Sequence, residues 1–149
     1  MPRSRDRKFG WLEFTLRLTD KRLRAMIVEC AIELGWSMDS IARRALAWHI
    51  EQHVKSRGLT ASKATAYALP GGQTPEILRR KPETLRKSRN PRLAVRYPPA
   101  WQKALDRLVA DSVLHDRLAP LWRAAILGWL DSDECVAAKK AAKKAREAA

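Results

Sequence analysis

The sequence predicts a mainly α-helical protein with one short two-stranded antiparallel ribbon, built from two copies of a strand-helix-helix unit in one chain. Two short segments alternate apolar and polar side chains, and each is followed by two stretches with helical spacing of apolar residues. The two sets are related by a nearly constant offset of about 80 positions, which indicates an internal duplication. A single unit of this kind cannot cover its own core and its lone strand has no partner, so we expect the two copies to fold together.

The first strand is predicted from Phe14 to Thr19. A period of two in hydrophobicity is typical of a strand with one buried face. The predicted inward residues are Phe14, Leu16 and Leu18, and the predicted outward residues are Thr15, Arg17 and Thr19.

Two helices are expected to follow this strand. Asp20 is a candidate N-cap, and apolar residues then recur at spacings of three and four up to Leu34. Gly35 is expected to end the first helix. Ser37 is the next candidate N-cap, and the second helix is expected to continue to about Lys55.

The second copy repeats the order of the first. Between Arg92 and Tyr97 the strand period returns, and Pro98 with Pro99 introduces a helical pattern. A last helix is expected to end near Leu130. Its start differs from the first copy, because Arg117 stands where Ser37 stands and Pro120 replaces Ser40.

The formal net charge of +14 is concentrated outside the two copies. Residues 56–91 contain eight basic and two acidic side chains, whereas residues 92–135 contain six of each. The predicted divisions are a basic N-terminal arm (1–11), the first copy (12–55), a basic linker (56–91), the second copy (92–131) and an Ala/Lys-rich basic tail (132–149). This layout indicates a polyanion binder whose arms neutralise phosphates.

Two weaker structural expectations concern the linker and the tail. Thr60 to Leu69 is predicted as a short helix, and Thr74 with Pro75 could begin another. Within the tail, residues 137–149 have helical propensity, but their Ala/Lys pattern shows no apolar face to dock. We therefore expect the tail to be mobile in the absence of a ligand.

The sequence predicts no enzyme, no cofactor and no metal site. Cys30 and Cys135 lack the spacing of a metal-binding pair, and His49 with His53 lacks a third ligand. Tyr67 could be considered as a nucleophile for DNA nicking, but the sequence offers no metal ligands to accompany it. Without a signal peptide or an apolar stretch of about 20 residues, the expectation is a cytoplasmic protein with no membrane span.

The stretch from Phe14 to Thr19, followed by Gly35-Trp-Ser-Met-Asp-Ser-Ile-Ala-Arg-Arg-Ala-Leu46, resembles the strand and inter-helix motif of ribbon-helix-helix DNA-binding proteins. In that family two strands pair antiparallel above four helices, and the ribbon enters the major groove. The resemblance implies a tandem form in which one polypeptide makes what is usually a dimer, a pseudo-dimer that acts as a monomer.

Tandem units of this kind are similar to accessory proteins of conjugative and T-DNA transfer, among them relaxosome accessory proteins and the overdrive-binding protein of the virC operon. The resemblance implies double-stranded DNA as ligand, a relaxase or another transfer-complex protein as possible partner, and a bacterial cytoplasmic location. Two alternatives stay open: a transcriptional repressor with the same fold, and a nucleoid-like scaffold that binds DNA without sequence preference.

Three groups of residues are predicted to contact DNA. The outward ribbon face is expected to read bases, with Arg17 and Arg96 as the main specificity residues. Its members are Thr15, Arg17, Thr19, Arg92, Ala94 and Arg96. The N-terminus of the second helix is a candidate phosphate seat, formed by Ser37, Met38 and Ser40, although Asp39 adds a negative charge there. The basic arms are expected to contact phosphates through Arg3, Arg5, Lys139, Lys140, Lys143 and Lys144.

The tryptophans are predicted to pack in the core rather than to stack on bases. Those at helical core spacing are Trp36, Trp48, Trp101, Trp122 and Trp129.

Overall fold

The structure is a computed structural model that describes residues 10–18, 20–69, 77–87, 92–111 and 117–148. In chain order the elements are β1 (Leu12–Arg17), α1 (Lys21–Leu34), α2 (Met38–Arg57), α3 (Ala61–Ala64), a 3-10 turn (Thr65–Tyr67), α4 (Pro82–Lys87), β2 (Arg92–Tyr97), a second 3-10 turn (Pro99–Trp101), α5 (Gln102–Asp111), α6 (Leu118–Leu130) and α7 (Asp133–Ala148). The predicted fold class, mainly α with a short two-stranded antiparallel ribbon, is confirmed.

The ribbon pairs β1 with β2 in one register, from Leu12 opposite Tyr97 to Arg17 opposite Arg92. Its apolar face packs against the helices, with Leu16 and Val95 fully buried and Leu12 at the strand start still exposed. β1 both begins and ends two residues earlier than predicted. The face assignment is unaffected by this shift, because moving a strand boundary by two residues keeps the alternation in phase.

The predicted N-caps of α1 and α2 and the predicted end of α1 are confirmed, whereas α2 continues two residues past Lys55. The Asp20 side chain accepts a hydrogen bond from the N–H of Arg22 at 2.9 Å, and the Ser37 hydroxyl accepts from the N–H of Ser40 at 3.3 Å. Gly35 ends α1 with a φ of 71°, a left-handed conformation that a side chain disfavours. Arg117 is the N-cap of α6 and makes no side-chain cap hydrogen bond.

The core lies between α2 and α6, which pack along each other beneath the ribbon. Packing is the role predicted for the tryptophans, and it is confirmed for the three that are almost fully buried: Trp101, Trp122 and Trp129. Trp36 stacks on Trp129 with ring centroids 6.1 Å apart. Trp48 lies over Gly128, where a Cβ would come within 3.0 Å of its ring.

Part of the predicted linker packs against the core, through Tyr67 and Leu85. Thr60 caps α3, accepting from the N–H of Lys63 at 3.4 Å, and the following 3-10 turn buries Tyr67. The predicted helix from Thr60 to Leu69 is therefore confirmed in part, as α3 and a 3-10 turn that ends at Tyr67. The other expected helix start, at Thr74 and Pro75, lies outside the described residues.

The expectation that the tail has no apolar face to dock is wrong. α7 packs against α1, with Cys135 fully buried and its sulfur 3.8 Å from that of Cys30. Ala138 and Ala142 continue the same face of α7 into the core. The tail docks through small side chains, which a search for large apolar residues overlooks.

Candidate nucleic-acid interface

The outward face of the ribbon is built from three cross-strand pairs. Because residues directly opposite in an antiparallel pair share a face, the register brings one polar residue of β1 beside one outward residue of β2 in each pair. The pairs are Glu13 with Arg96, Thr15 with Ala94 and Arg17 with Arg92. Five of the six are exposed, and Arg96 is half-buried. Thr19 lies outside the described residues.

Glu13 belongs to this face and was missed by the sequence prediction, which placed the strand two residues too late. The period of two in the sequence could have found it, since Glu13 has the same parity as Thr15 and Arg17. Its carboxylate gives one end of the face an acidic group, whereas the opposite end holds two exposed arginines, Arg17 and Arg92. The charge of the outward face therefore changes along the ribbon, with a carboxylate at one end and two guanidinium groups at the other.

Arg96 was predicted as a main base-reading residue, and the structure gives its side chain a different contact. Its Nε donates to Oδ2 of Asp39 at 3.0 Å, and its side chain is only 24% exposed. Its backbone carbonyl accepts from Nη1 of Arg43 at 2.9 Å. Arg96 is thus drawn toward α2 and ties β2 to that helix, which leaves Arg17 as the more accessible of the two predicted specificity residues.

Asp39 is the centre of a buried polar network at the N-terminus of α2. Its carboxylate accepts from the Ser37 hydroxyl at 2.6 Å and from Nη1 of Arg43 at 2.8 Å, besides Arg96. Arg43 also donates to the hydroxyl of Ser40 at 3.0 Å. Burial acts to raise the pKa of Asp39, but the charges of Arg43 and Arg96 and the Ser37 hydrogen bond outweigh it and lower that pKa.

The predicted phosphate seat at this helix end is occupied by other parts of the chain. Residues 77–81, which we call the strap, lie across it. The Ser37 N–H donates to the carbonyl of Leu78 at 2.7 Å, and the Leu78 N–H donates to the Ser40 hydroxyl at 2.8 Å. Ser37 is 4% exposed and Ser40 1%. Their hydroxyls are therefore not available to a phosphate, and Met38 between them is half-buried.

The predicted basic arms are divided by the docking of α7. Lys140, Lys143 and Lys144 are exposed on its outer surface. Lys139 instead faces α1, where its Nζ lies 3.5 Å from Oε2 of Glu33. The N-terminal candidates, Arg3 and Arg5, lie outside the described residues.

His53 and Tyr67 contact each other and neighbouring side chains within the fold. The Tyr67 hydroxyl donates to Asp111, a hydrogen bond that raises the pKa of this tyrosine. The ring of His53 meets that of Tyr67 edge-on with centroids 5.0 Å apart. In the part of the chain that the structure describes, no three His, Cys, Asp or Glu side chains come together as a metal site.

The same described residues contain no helix of the length and apolarity that a membrane crossing requires. Comparison of the chain with protein-family models, with curated proteins and with solved structures yields no match.

Proposed function

We propose that the protein is a sequence-specific double-stranded DNA-binding protein that places the β1–β2 ribbon in the major groove. One observation carries the proposal: the ribbon has one face packed on the helices and an exposed opposite face with arginines at one end. A two-stranded ribbon fits the width of the major groove, and its outward side chains can then reach base edges.

The tandem arrangement supports a single-chain pseudo-dimer. The order strand, helix, helix occurs twice, as β1–α1–α2 and as β2–α5–α6. The second helices of the two units, α2 and α6, pack together, and the two strands pair. One chain therefore supplies both strands of the reading element, and we propose that it binds DNA as a monomer.

The residues of the ribbon face suit different base edges. Arg17 and Arg92 can donate two hydrogen bonds each to O6 and N7 of guanine, and the methyl groups of Thr15 and Ala94 can contact the thymine methyl. The Glu13 carboxylate can accept from N4 of cytosine. The proposed site is therefore asymmetric, with guanine recognition at one end.

Non-specific affinity is proposed to come in part from exposed lysines on α7. Lys140, Lys143 and Lys144 project from α7 on a chain of net charge +14. Contacts of this type release counterions from DNA and are weakened by salt.

The biological role that we propose is that of an accessory factor that assembles a conjugative or T-DNA transfer complex, with a relaxase as partner. This role rests on the tandem resemblance described above. A transcriptional repressor would use the same geometry. The two roles can be distinguished once a binding site has been selected from random duplexes. Co-purification of a relaxase only in the presence of that site would support the first role. Repression of a reporter that carries the site, in the absence of transfer proteins, would support the second.

The proposal is tested by selecting binding sites from random duplexes and then substituting the ribbon. Arg17→Ala should weaken binding to the selected site by about 1 to 3 kcal/mol and binding to random DNA much less. Lys63→Ala removes the same charge from an exposed position on α3 and is the matched control. Equal losses for both variants on both DNAs would remove the ribbon from the reading surface.

A further inference from the structure

We infer that the strap provides a DNA-backbone contact, in which Arg80 and Lys81 bind phosphates beside the ribbon. This inference rests on the proposed function and adds to it a binding site in a part of the chain that sequence analysis treated as linker. The ligand is the phosphate backbone of the same duplex that the ribbon reads.

The strap is held in one position by its backbone. The Arg80 N–H donates to the carbonyl of Gly35 at 3.2 Å, and Trp36 and Arg79 form a β-bridge. Arg79 also donates from Nη1 to the carbonyl of Leu34 at 3.3 Å, which satisfies an acceptor at the end of α1. This fixed backbone holds the Cα atoms of Arg80 and Lys81 in place, so less backbone entropy is lost when their side chains bind a phosphate.

A short series of hydrogen bonds connects the strap to the ribbon. Leu78 bonds to Ser37, Ser37 bonds to Asp39, and Asp39 bonds to Arg96 on β2. The strap therefore lies beside the Glu13–Arg96 end of the ribbon, away from the Arg17–Arg92 end. When the ribbon occupies the major groove, the flanking backbone passes at this end.

The charge of the strap is not neutralised by its surroundings. Arg80 and Lys81 are exposed, and neither forms an ion pair with another of the described residues. Arg80 donates from Nη1 only to the carbonyl of its neighbour Arg79, at 3.2 Å. Of the acids near the strap, Asp39 is already engaged by Arg43 and Arg96, and Glu83 in the first turn of α4 forms no ion pair with Arg80 or Lys81.

The strap thus supplies side-chain cations at the helix end where Ser37 and Ser40 are closed off. A phosphate that a bare helix N-terminus would bind through N–H groups is bound here by Arg80 and Lys81. Arginine suits this role because its planar guanidinium can donate two parallel hydrogen bonds to one phosphate.

The test compares two doubly substituted proteins of equal charge. Arg80→Ala with Lys81→Ala removes the strap cations but leaves the backbone anchors. Lys55→Ala with Lys63→Ala removes two exposed cations near the other end of α2, which at 20 residues is about 30 Å long. The affinity of each variant for the selected site and for a random duplex is measured at salt concentrations from about 0.05 M to about 0.5 M, spaced evenly in log salt.

We expect the strap variant to flatten the slope of log K against log salt by about 0.9 per lost phosphate contact, or about 1.8 for two, on both duplexes. The control should keep the wild-type slope. Arg80→Lys with Lys81→Arg should restore the slope, which separates lost charge from misfolding. In phosphate ethylation interference on the selected site, the strap variant should lose the signal at one flank. The control variant should keep the signal at both flanks.

The outcomes separate the inference from the proposed function. If the strap variant kept the wild-type slope of log K against log salt and the wild-type ethylation interference, the strap contact would be overturned. The ribbon proposal would remain intact. Failure of the wild-type protein to bind any duplex would overturn both.

Discussion

The Arg43 guanidinium lies where α2, β2 and the residue before β1 meet. It is fully buried, bonds to Asp39, and stands over the ring of Trp11 at 4.7 Å from the centroid. A buried charge is costly unless it is paired and hydrogen-bonded. Asp39, Ser40 and the carbonyl of Arg96 provide this compensation. Because Arg96 lies on β2, the same hydrogen bonds hold the ribbon in place against α2.

Asp39→Asn should therefore be strongly destabilising. It leaves the Arg43 charge buried without its anion, and breaking a buried pair in this way costs about 3 to 5 kcal/mol. Asp20→Asn is the matched control, because Asn caps a helix about as well as Asp at this exposed position. Urea denaturation of both variants measures the two free energies of unfolding, and equal small losses would contradict the importance of the network.

The same carboxylate predicts a pH dependence. The folded pKa of Asp39 is lowered, so its contribution to stability is present above its unfolded pKa of about 3.9 and is lost as pH falls toward the folded pKa. The difference in unfolding free energy between wild type and Asp39→Asn should be constant from about pH 5 upward and shrink below about pH 4. A difference that stays constant down to pH 2.5 or so would contradict the pairing.

Sequence reasoning identified which residues face outward but not what each one contacts. The alternation along β2 assigns Arg96 to the same face as Arg92. Its partner Asp39 is 57 positions away, so only the folded chain shows that Arg96 turns toward α2. Arg17 has an exposed side chain, as the alternation predicted.

At the scale of elements, α7 is the largest departure from the sequence prediction. Its inward face consists of Cys135, Ala138 and Ala142, and it is tied to α2 by Glu134, whose carboxylate accepts from Nε of Arg44 at 2.8 Å. Alanine contributes little to a hydrophobicity pattern, although rows of small residues allow helices to approach closely. The strap was missed for a related reason: it is anchored by backbone hydrogen bonds, which side-chain patterns do not reveal.

Removal of residues 133–149 should destabilise the fold and expose Cys30. In the full chain Cys30 is fully buried, and burial together with the neighbouring Cys135 raises its pKa to about 12, which suppresses the reactive thiolate. We expect slow reaction with an aromatic disulfide reagent in the native protein and fast reaction in the truncated one, with a lower thermal midpoint.

The matched control retains α7 but replaces Lys140, Lys143 and Lys144 by alanine. This variant should keep both the thermal midpoint and the protection of Cys30, because these lysines are exposed. Its DNA binding should nevertheless weaken alike on all sequences, with a flatter salt dependence. A truncated protein with unreactive Cys30 and an unchanged midpoint would mean that α7 does not dock in solution.

For the whole molecule, both strands of the ribbon come from one chain, so the protein should sediment as a monomer without DNA. The two strands present different residues, Glu13-Thr15-Arg17 against Arg92-Ala94-Arg96, and the selected site should accordingly lack two-fold symmetry. Sedimentation velocity and the selected sequences check the two parts. A stable dimer together with perfectly palindromic sites would indicate that strands pair between chains.

The pairing of residue 12 with residue 97 also has a consequence for folding. At a synthesis rate of about 5 to 20 residues per second, β1 waits roughly 4 to 17 s for its partner, while α1 and α2 can form from local contacts. We expect the ribbon to assemble after α1 and α2, and β1 to remain an unpaired edge until then. Refolding at rising protein concentration should therefore yield strand-swapped dimers, detectable by size exclusion, in which β1 of one chain has found β2 of another.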